Sequence, residues 1–339
     1  TPDHWHAIPT ILACQAGKDV YVEKPLAHNI REGRAMVEAA RRTARIVGAG
    51  LQHRSAAHLA EAARIVRSGE LGEVRFVRVW NYSNMHPAGI GREPDSSPPE
   101  GLDWDFYLGP APLVPFNRKR FLWSWRWFWD YAGGYITDFG THRFDTVHQI
   151  MGAQAPLSVS AAGGRFTLRD AGEMPDILQV SYQYPGFVLS YEACNLNAHG
   201  VGGRTPGMKY YNARGADDRP HGMAFYGTEG ALFADRIGYE IYPELKPGSN
   251  EPRIPARRTN GPEPTPQHVR DFLDAVRFRR RPAASIEDAH QATTVAHLGN
   301  IAFKLRRKLR WDGTRETFPD DPEAIALLGR KARKPWDLV

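Results

Sequence analysis

The stretch DVYVEKPLAHNIREGRAMVEAARRTARIVGAGL, residues 19–51, decides the fold class of this chain. Its β-branched start, residues 19–22, predicts a short buried strand, and the apolar residues 46–51 predict a second strand. Between them, residues 30–45 are rich in Ala, Arg and Glu and carry apolar side chains at helical spacing. A strand, a helix and a strand in this order predict a right-handed crossover unit of a parallel sheet.

The alternation of helices and strands continues on both sides of this stretch. Residues 7–16 have helical spacing and end at Gly17. Residues 56–67 predict a further helix, which precedes a strand at 74–80. We therefore expect a further crossover unit in the parallel sheet.

After residue 80 the pattern changes to Pro-rich loops, an aromatic block at 121–131 and then a series of strands. Pairs of strands flank short turns, which predicts one antiparallel sheet. The predicted hairpins are 177–184 with 187–194 and 223–226 with 231–233, two helices are predicted at 268–278 and 286–305, and the stretch 243–266 is expected to be irregular.

The composition excludes several classes of protein. The chain has 339 residues, of which 42% are hydrophobic, and its only cysteines are Cys14 and Cys194, so a disulfide-stapled or Cys₄ zinc module is excluded. No run of about 18 apolar residues exists that could cross a bilayer. The net charge of +6 comes mainly from the basic runs 277–281 and 304–310, which are typical of solvated helix faces. We expect neither a nucleic-acid nor a membrane partner.

The tripeptide Glu23-Lys24-Pro25 follows a predicted buried strand. Ligands of open α/β sheets bind at the carboxyl ends of their strands, and Pro25 biases Lys24 towards extended geometry. Lys24 is therefore a candidate for holding a ligand. The alternative is an ordinary surface lysine at a strand end.

A second candidate lies in residues 133–145, GGYITDFGTHRFD. A helix from Thr137 would bring Asp138, His142 and Asp145 to one face. A carboxylate beside an imidazole suits general base catalysis near neutral pH, and Gly140 would let another group approach the helix. The alternative is an amphipathic helix whose polar face meets water.

Together these motifs resemble the Gfo/Idh/MocA oxidoreductases, a family of nicotinamide-dependent sugar and inositol dehydrogenases. The opening TPDHWH resembles the family's TPxxxH loop, residues 23–25 its EKP motif, and residues 133–145 its GGxxxDxGxHxxD motif. The resemblance spans nearly the whole chain. It implies an α/β fold in which residues 1–55 form an incomplete C-terminal part of a Rossmann domain, followed at 56–339 by an α+β substrate and oligomerisation domain with a large, mostly antiparallel sheet.

The resemblance also implies roles for individual residues. Lys24 would hydrogen-bond the reacting hydroxyl and the nicotinamide region, His142 would be the general base, and Asp138 would orient the substrate or the imidazole. Arg126 and Tyr131 would also contact the substrate. The cofactor, NAD or NADP, would be lined by Thr1, Pro2, Trp5, His6, Glu23, Lys24, Pro25 and Gln52. No metal is expected, because the pair His4 and His6 has no supporting set of ligands.

The leading hypothesis is hydride transfer between nicotinamide and a hydroxyl of a sugar, cyclitol or related polyol. Two alternatives stay open: a redox-neutral glycosidase that retains NAD⁺, and a catalytically silent carbohydrate-binding module. The resemblance implies a homo-dimer or homo-tetramer that forms through the outer face of the antiparallel sheet. The cytoplasm is the favoured compartment, with a periplasmic or secreted location as the alternative.

The family's glycine-rich phosphate turn has no counterpart at the start of this sequence, so we expect the chain to be part of a longer protein. The pyrophosphate of a dinucleotide is normally held at a helix N-terminus after such a turn. We therefore expect these 339 residues alone to bind NAD(H) weakly or not at all. Titration of the chain with NADH tests this, and tight binding would contradict it.

Overall fold

The computed structural model describes residues 1–201 and 219–337. None of the helices within these ranges is long and apolar enough to cross a membrane. The helices are α1 Ala7–Gln15, α2 Ile30–Thr43, α3 Ala57–Arg67, α4 Trp104–Leu108, α5 Tyr135–Met151, α6 Thr265–Phe278, α7 Ile286–Leu305 and α8 Pro322–Ala326. The strands are β1 Val20–Val22, β2 Val47–Ala49, β3 Phe76–Tyr82, β4 Ser158–Gly164, β5 Ile177–Tyr184, β6 Phe187–Cys194, β7 His221–Tyr226, β8 Gly230–Asp235, β9 Gly238–Pro243, β10 Arg257–Asn260 and β11 Leu309–Arg310.

The predicted crossover unit is confirmed. Strands β1 and β2 pair in parallel, with Val20 opposite Val47, and α2 connects them. The side chain of Asn29 caps α2 by accepting a hydrogen bond of 3.0 Å from the backbone N–H of Glu32. The buried face of α2, which includes Met36, packs with both strands in one apolar cluster.

A nine-stranded sheet forms the second layer, in the order β10-β9-β8-β7-β3-β6-β5-β4-β11. Every neighbouring pair in it is antiparallel except β3 and β6. Both predicted hairpins are present, β5 with β6 and β7 with β8. The mostly antiparallel sheet predicted for this half of the chain is therefore confirmed.

Two expectations about the strands are wrong. The strand after α3 does not extend the parallel pair, because β3 hydrogen-bonds with β6 and β7 and buries Val77 and Val79 in the core of the large sheet. The stretch 243–266 is not wholly irregular either. Strand β10 pairs with β9 there, and α6 begins at Thr265.

Helix α5 packs against one face of the large sheet and carries the second candidate motif. It begins at Tyr135, two residues before the predicted start. Phe144 is fully buried and its ring lies 5.5 Å from that of Tyr182 on β5 and 5.4 Å from that of Tyr191 on β6. The apolar face of α5 is thereby fixed on the sheet, which sets the direction of the other face.

A buried ion-pair network joins α5 to its neighbours. Arg54, in the 3₁₀ turn that follows β2, lies with its Nε 2.7 Å from Oδ1 of Asp145 on α5. Its Nη1 lies 3.3 Å from Oδ1 of Asp288, in the first turn of α7. Asp145 is fully buried, so the polar face of α5 does not meet water here, and the amphipathic-helix alternative is wrong at this residue.

We expect the substitution Arg54→Ala to lower the free energy of unfolding by about 3 kcal/mol or more, because it leaves the buried carboxyl of Asp145 unpaired. The matched control is Arg41→Ala, which removes the exposed ion pair between Arg41 and Glu287 of α7. The control should cost about 1 kcal/mol or less. Urea unfolding at neutral pH measures both, and equal losses would contradict the structural role of the network.

Candidate active site

The side chain of Lys24 meets the first turn of α5. Its Nζ donates a hydrogen bond of 3.0 Å to the backbone carbonyl of Asp138 and also forms an ion pair with the Asp138 carboxylate. Both side chains are less than one-fifth exposed. The structure therefore brings the end of the first strand and the start of α5 together, and the ammonium is held in place rather than free at the surface.

Arg126 binds the other oxygen of the same carboxylate. Its Nε lies 3.3 Å from Oδ2 of Asp138, and its guanidinium stacks over the ring of Trp125 at 4.4 Å. Asp138 thus lies between two cations from separate segments. This arrangement fixes the carboxylate and leaves positive charge on both sides of it.

His142 lies one helical turn after Asp138, on the same side of α5. Burial lowers the pKa of its imidazole well below the usual value of 6.5, and the positive charge of Lys24 adds to this effect. Its Nδ1 is buried and has no hydrogen-bond partner among the residues that the structure describes. His142 is therefore a neutral imidazole, the form that can accept a proton.

A second imidazole, that of His53, lies beside the first. The two ring centroids are 5.1 Å apart, and Nδ1 of His53 is 3.4 Å from the hydroxyl of Thr146 on α5. Burial also lowers the pKa of His53 well below 6.5, and the positive charge of Arg143 lowers it further. The sequence motifs assign no role to His53. The signal that could have found it is its position after β2, at the carboxyl edge of the parallel pair.

Asp3 adds a carboxyl group to the same neighbourhood. It lies buried in the 3₁₀ turn Asp3–Trp5. Its pKa is raised to about 8, mainly by burial and also by the negative charge of Asp138, while the charges of Arg126 and Lys24 oppose the shift. Asp3 is consequently protonated at neutral pH. The sequence motifs assign no role to Asp3 either, although Asp3 belongs to the opening motif.

The opening segment is tied to the EKP motif through His6. Its Nδ1 lies 2.8 Å from the carbonyl of Pro25 and its Nε2 lies 3.3 Å from the carbonyl of Thr1. Burial lowers the pKa of His6 to about 4, so the imidazole is neutral and donates to one carbonyl at a time. His6 therefore holds the loop that follows Lys24 against the opening segment.

Three other residues of the expected cofactor set have defined places. The carboxylate of Glu23 accepts a hydrogen bond of 3.3 Å from the backbone N–H of Lys24 and packs against Gly50, where a Cβ would collide with it. Gln52 is half-buried at the start of the turn that carries His53. Trp5 is buried, and its Nε1 donates a hydrogen bond of 2.8 Å to the carbonyl of Tyr107.

Tyr131 lies in the aromatic cluster beside the opening segment. Its ring is fully buried in an aromatic cluster, 5.1 Å from the ring of His4. In this structure the ring therefore packs in the aromatic cluster, and the contact of Tyr131 with a substrate stays a prediction. At Gly140, the group that approaches the helix is the ring of Tyr191, which lies 3.3 Å from the position of an added Cβ.

A cavity of about 740 Å³ opens next to the ion pairs. Arg126 lines it and also pairs with Asp138, so one side chain links the cavity wall to the charged cluster. Thr1, Pro2 and Trp5 line it from the opening segment. Its volume lies in the range of small-molecule sites.

Two family models of oxidoreductases match this chain. Residues 1–51 match the family model described as "Oxidoreductase family, NAD-binding Rossmann fold". Residues 61–189 and 228–338 match the model "Oxidoreductase family, C-terminal alpha/beta domain". The chain belongs to the Gfo/Idh/MocA family of oxidoreductases.

Curated relatives are similar over part of the chain. An uncharacterized oxidoreductase of Rhizobium meliloti is 37% identical over 114 residues, which is 33% of this chain and 33% of that protein. The trans-1,2-dihydrobenzene-1,2-diol dehydrogenase of Mus musculus is 25% identical over 192 residues, which is 56% of this chain and 46% of that protein. The chain thus spans less than half the length of these relatives.

Solved structures share the fold. A levoglucosan dehydrogenase, solved with NADH and levoglucosan, aligns with a TM-score of 0.64 and 18% identity, covering 91% of this chain and 78% of that one. The aldose-aldose oxidoreductase of Caulobacter crescentus aligns with a TM-score of 0.63 and 18% identity, covering 91% and 77%. At this identity the likeness concerns the fold.

We expect the substitution Asp3→Asn to remove a pH-dependent loss of stability. The native state holds the Asp3 proton up to about pH 8, whereas the unfolded chain releases it near 3.8, so the stability of the unsubstituted protein falls as the pH rises between these values. Asparagine carries no ionisable proton. The stability of the variant relative to the parent should rise by up to about 1.4 kcal/mol per pH unit in this interval.

Urea unfolding at several pH values from acid to alkaline measures this difference. Parallel pH profiles for the two proteins would show that the carboxyl of Asp3 is ionised in the native state.

Proposed function

We propose that this chain is part of an NAD(P)-dependent oxidoreductase that transfers a hydride between nicotinamide and a secondary hydroxyl of a sugar, cyclitol or related polyol. One observation carries the proposal: the ammonium of Lys24 and the neutral imidazole of His142 lie around the same turn of α5. The ammonium is fixed there by its hydrogen bond to the carbonyl of Asp138. A group that stabilises negative charge on oxygen and a group that accepts a proton are what alcohol oxidation requires.

Each of these side chains would have its own role in the reaction. His142 takes the hydroxyl proton on its imidazole, since burial keeps the ring neutral. The ammonium of Lys24 stabilises the alkoxide character that develops on the substrate oxygen. Asp138 and Arg126 are positioning residues for Lys24, because the carboxylate joins both cations.

A nicotinamide cofactor fits the residues at the mouth of this site. Thr1, Pro2 and Trp5 line the adjoining cavity, and the buried network of His6 holds the EKP loop beside it. When bound, the cofactor supplies the hydride acceptor. These residues would hold its nicotinamide end.

The names of the relatives agree with a cyclic diol or sugar as the substrate. The mouse protein is a dehydrogenase of a dihydrobenzene-diol, and the structural neighbours are a levoglucosan dehydrogenase and an aldose-aldose oxidoreductase. All three names describe ring-shaped hydroxylated molecules or sugars. This supports a polyol substrate for the present chain.

We expect Lys24→Ala and His142→Ala each to lower kcat for polyol oxidation about 100-fold or more. Because this chain alone is expected to bind NAD(H) weakly or not at all, kcat and KM are measured on the longer protein of which it is expected to be part, by reduction of NAD⁺ or NADP⁺ with a panel of sugars and cyclitols. The matched control is Lys18→Ala, which removes an exposed lysine just before β1 and should leave both constants unchanged.

Each alternative function gives a different result. A silent carbohydrate-binding module would bind sugars equally well with and without Lys24 and His142 and would reduce no cofactor. A redox-neutral glycosidase would cleave glycosides with no net release of NADH. Calorimetric binding of sugars to the same variants gives a readout that does not need the cofactor.

A further inference from the structure

Trp123 is an exposed aromatic side chain beside the candidate active site. It is 83% exposed, and its neighbour Leu122 is 62% exposed. The aromatic residues around it are far less open: Trp125, two positions further along, is 8% exposed. A large apolar surface in water costs free energy, and an exposed apolar patch at the edge of a site is typical of a binding surface.

The backbone of Trp123 has an unfavourable conformation. Its φ is +54° and its ψ is −49°, outside the regions that L-residues prefer. It immediately precedes the 3₁₀ turn Ser124–Trp127, which carries Arg126. Strained residues of this kind are concentrated at ligand sites, where the surrounding structure enforces them.

Trp123 lines the cavity of about 740 Å³ described above. One side of this cavity comes from the opening segment, and the other comes from the segment between residues 102 and 126. Arg126 connects the second side to Asp138, because its Nε lies 3.3 Å from Oδ2. Arg126 and Trp123 therefore line the same cavity, and a ligand bound there can contact both side chains.

The lining of this cavity has the mixed character that a cyclic polyol needs. Most lining side chains are apolar, while Arg126 and Asp103 supply charged groups. A pyranose or cyclitol ring exposes hydroxyls at its edge and C–H groups on its faces. The electron-rich face of an indole attracts such C–H groups, whereas an open-chain polyol has no fixed face to offer.

We propose that Trp123 is a specificity-determining residue whose indole stacks on the apolar face of the substrate ring, so that the site takes cyclic polyols in preference to open-chain ones. This inference rests on the proposed function, because it assigns the substrate class of the same site. The side of the cavity formed by Thr1 and Pro2 would then hold the nicotinamide.

Binding of matched ligands to the chain tests the inference without any cofactor. The probes are D-glucose, in its pyranose form, and D-glucitol, its open-chain counterpart, titrated calorimetrically at millimolar concentration. We expect Trp123→Ala to weaken binding of D-glucose roughly five- to tenfold and binding of D-glucitol less than twofold. Trp123→Phe keeps an aromatic face and should restore most of the affinity.

The matched control is Leu113→Ala, since Leu113 is 68% exposed in the same segment but does not line the cavity. It should change neither affinity. Because Trp123 is so exposed, its variants should keep the far-ultraviolet circular dichroism of the parent protein.

Two outcomes overturn the inference: an unchanged affinity for D-glucose in Trp123→Ala, or an equal loss of affinity for both ligands. If Lys24→Ala and His142→Ala abolish turnover while Trp123→Ala changes nothing, the proposed function stands and only the role of Trp123 fails. If the parent protein binds neither probe and oxidises no polyol, both fail together.

Discussion

The contact between Lys24 and Asp138 is the constraint on which the candidate site depends. It joins the loop after the first parallel strand to the first turn of α5, two parts of the chain that are 114 positions apart. Because Asp138 also binds Arg126, the same carboxylate fixes the segment that carries the aromatic block. A single acidic side chain thus sets the relative positions of an ammonium, a guanidinium and the helix that bears His142.

The two faces of α5 explain why this helix can hold reactive groups in place. Its apolar side, represented by Phe144, is packed on Tyr182 and Tyr191 of the large sheet. Its polar side is anchored by the ion pair of Asp145 with Arg54. With both sides fixed, the rotation of the helix is determined, and the position of His142 follows from its place in the sequence.

Burial controls the charge of the groups around α5. The imidazoles of His142 and His53 are neutral and the carboxyl of Asp3 is protonated, because each group would lose solvation on becoming charged. Lys24 and Asp138 form an ion pair beside them. Groups that can exchange a proton therefore lie beside groups that provide a fixed electric field.

The sequence by itself determined the local elements and the main residues of the site. Hydrophobic periodicity is a local property, so α2, the hairpin of β5 with β6 and α7 follow from it. Spacing on one helix likewise predicted that Asp138 and His142 share a face. Only the tertiary structure assigned β3 to the large sheet, buried Tyr131 in an aromatic cluster, and brought Asp3 and His53 to the site. Strand partners, burial and the pKa values that depend on it arise from contacts between distant residues, which no local pattern of the sequence records.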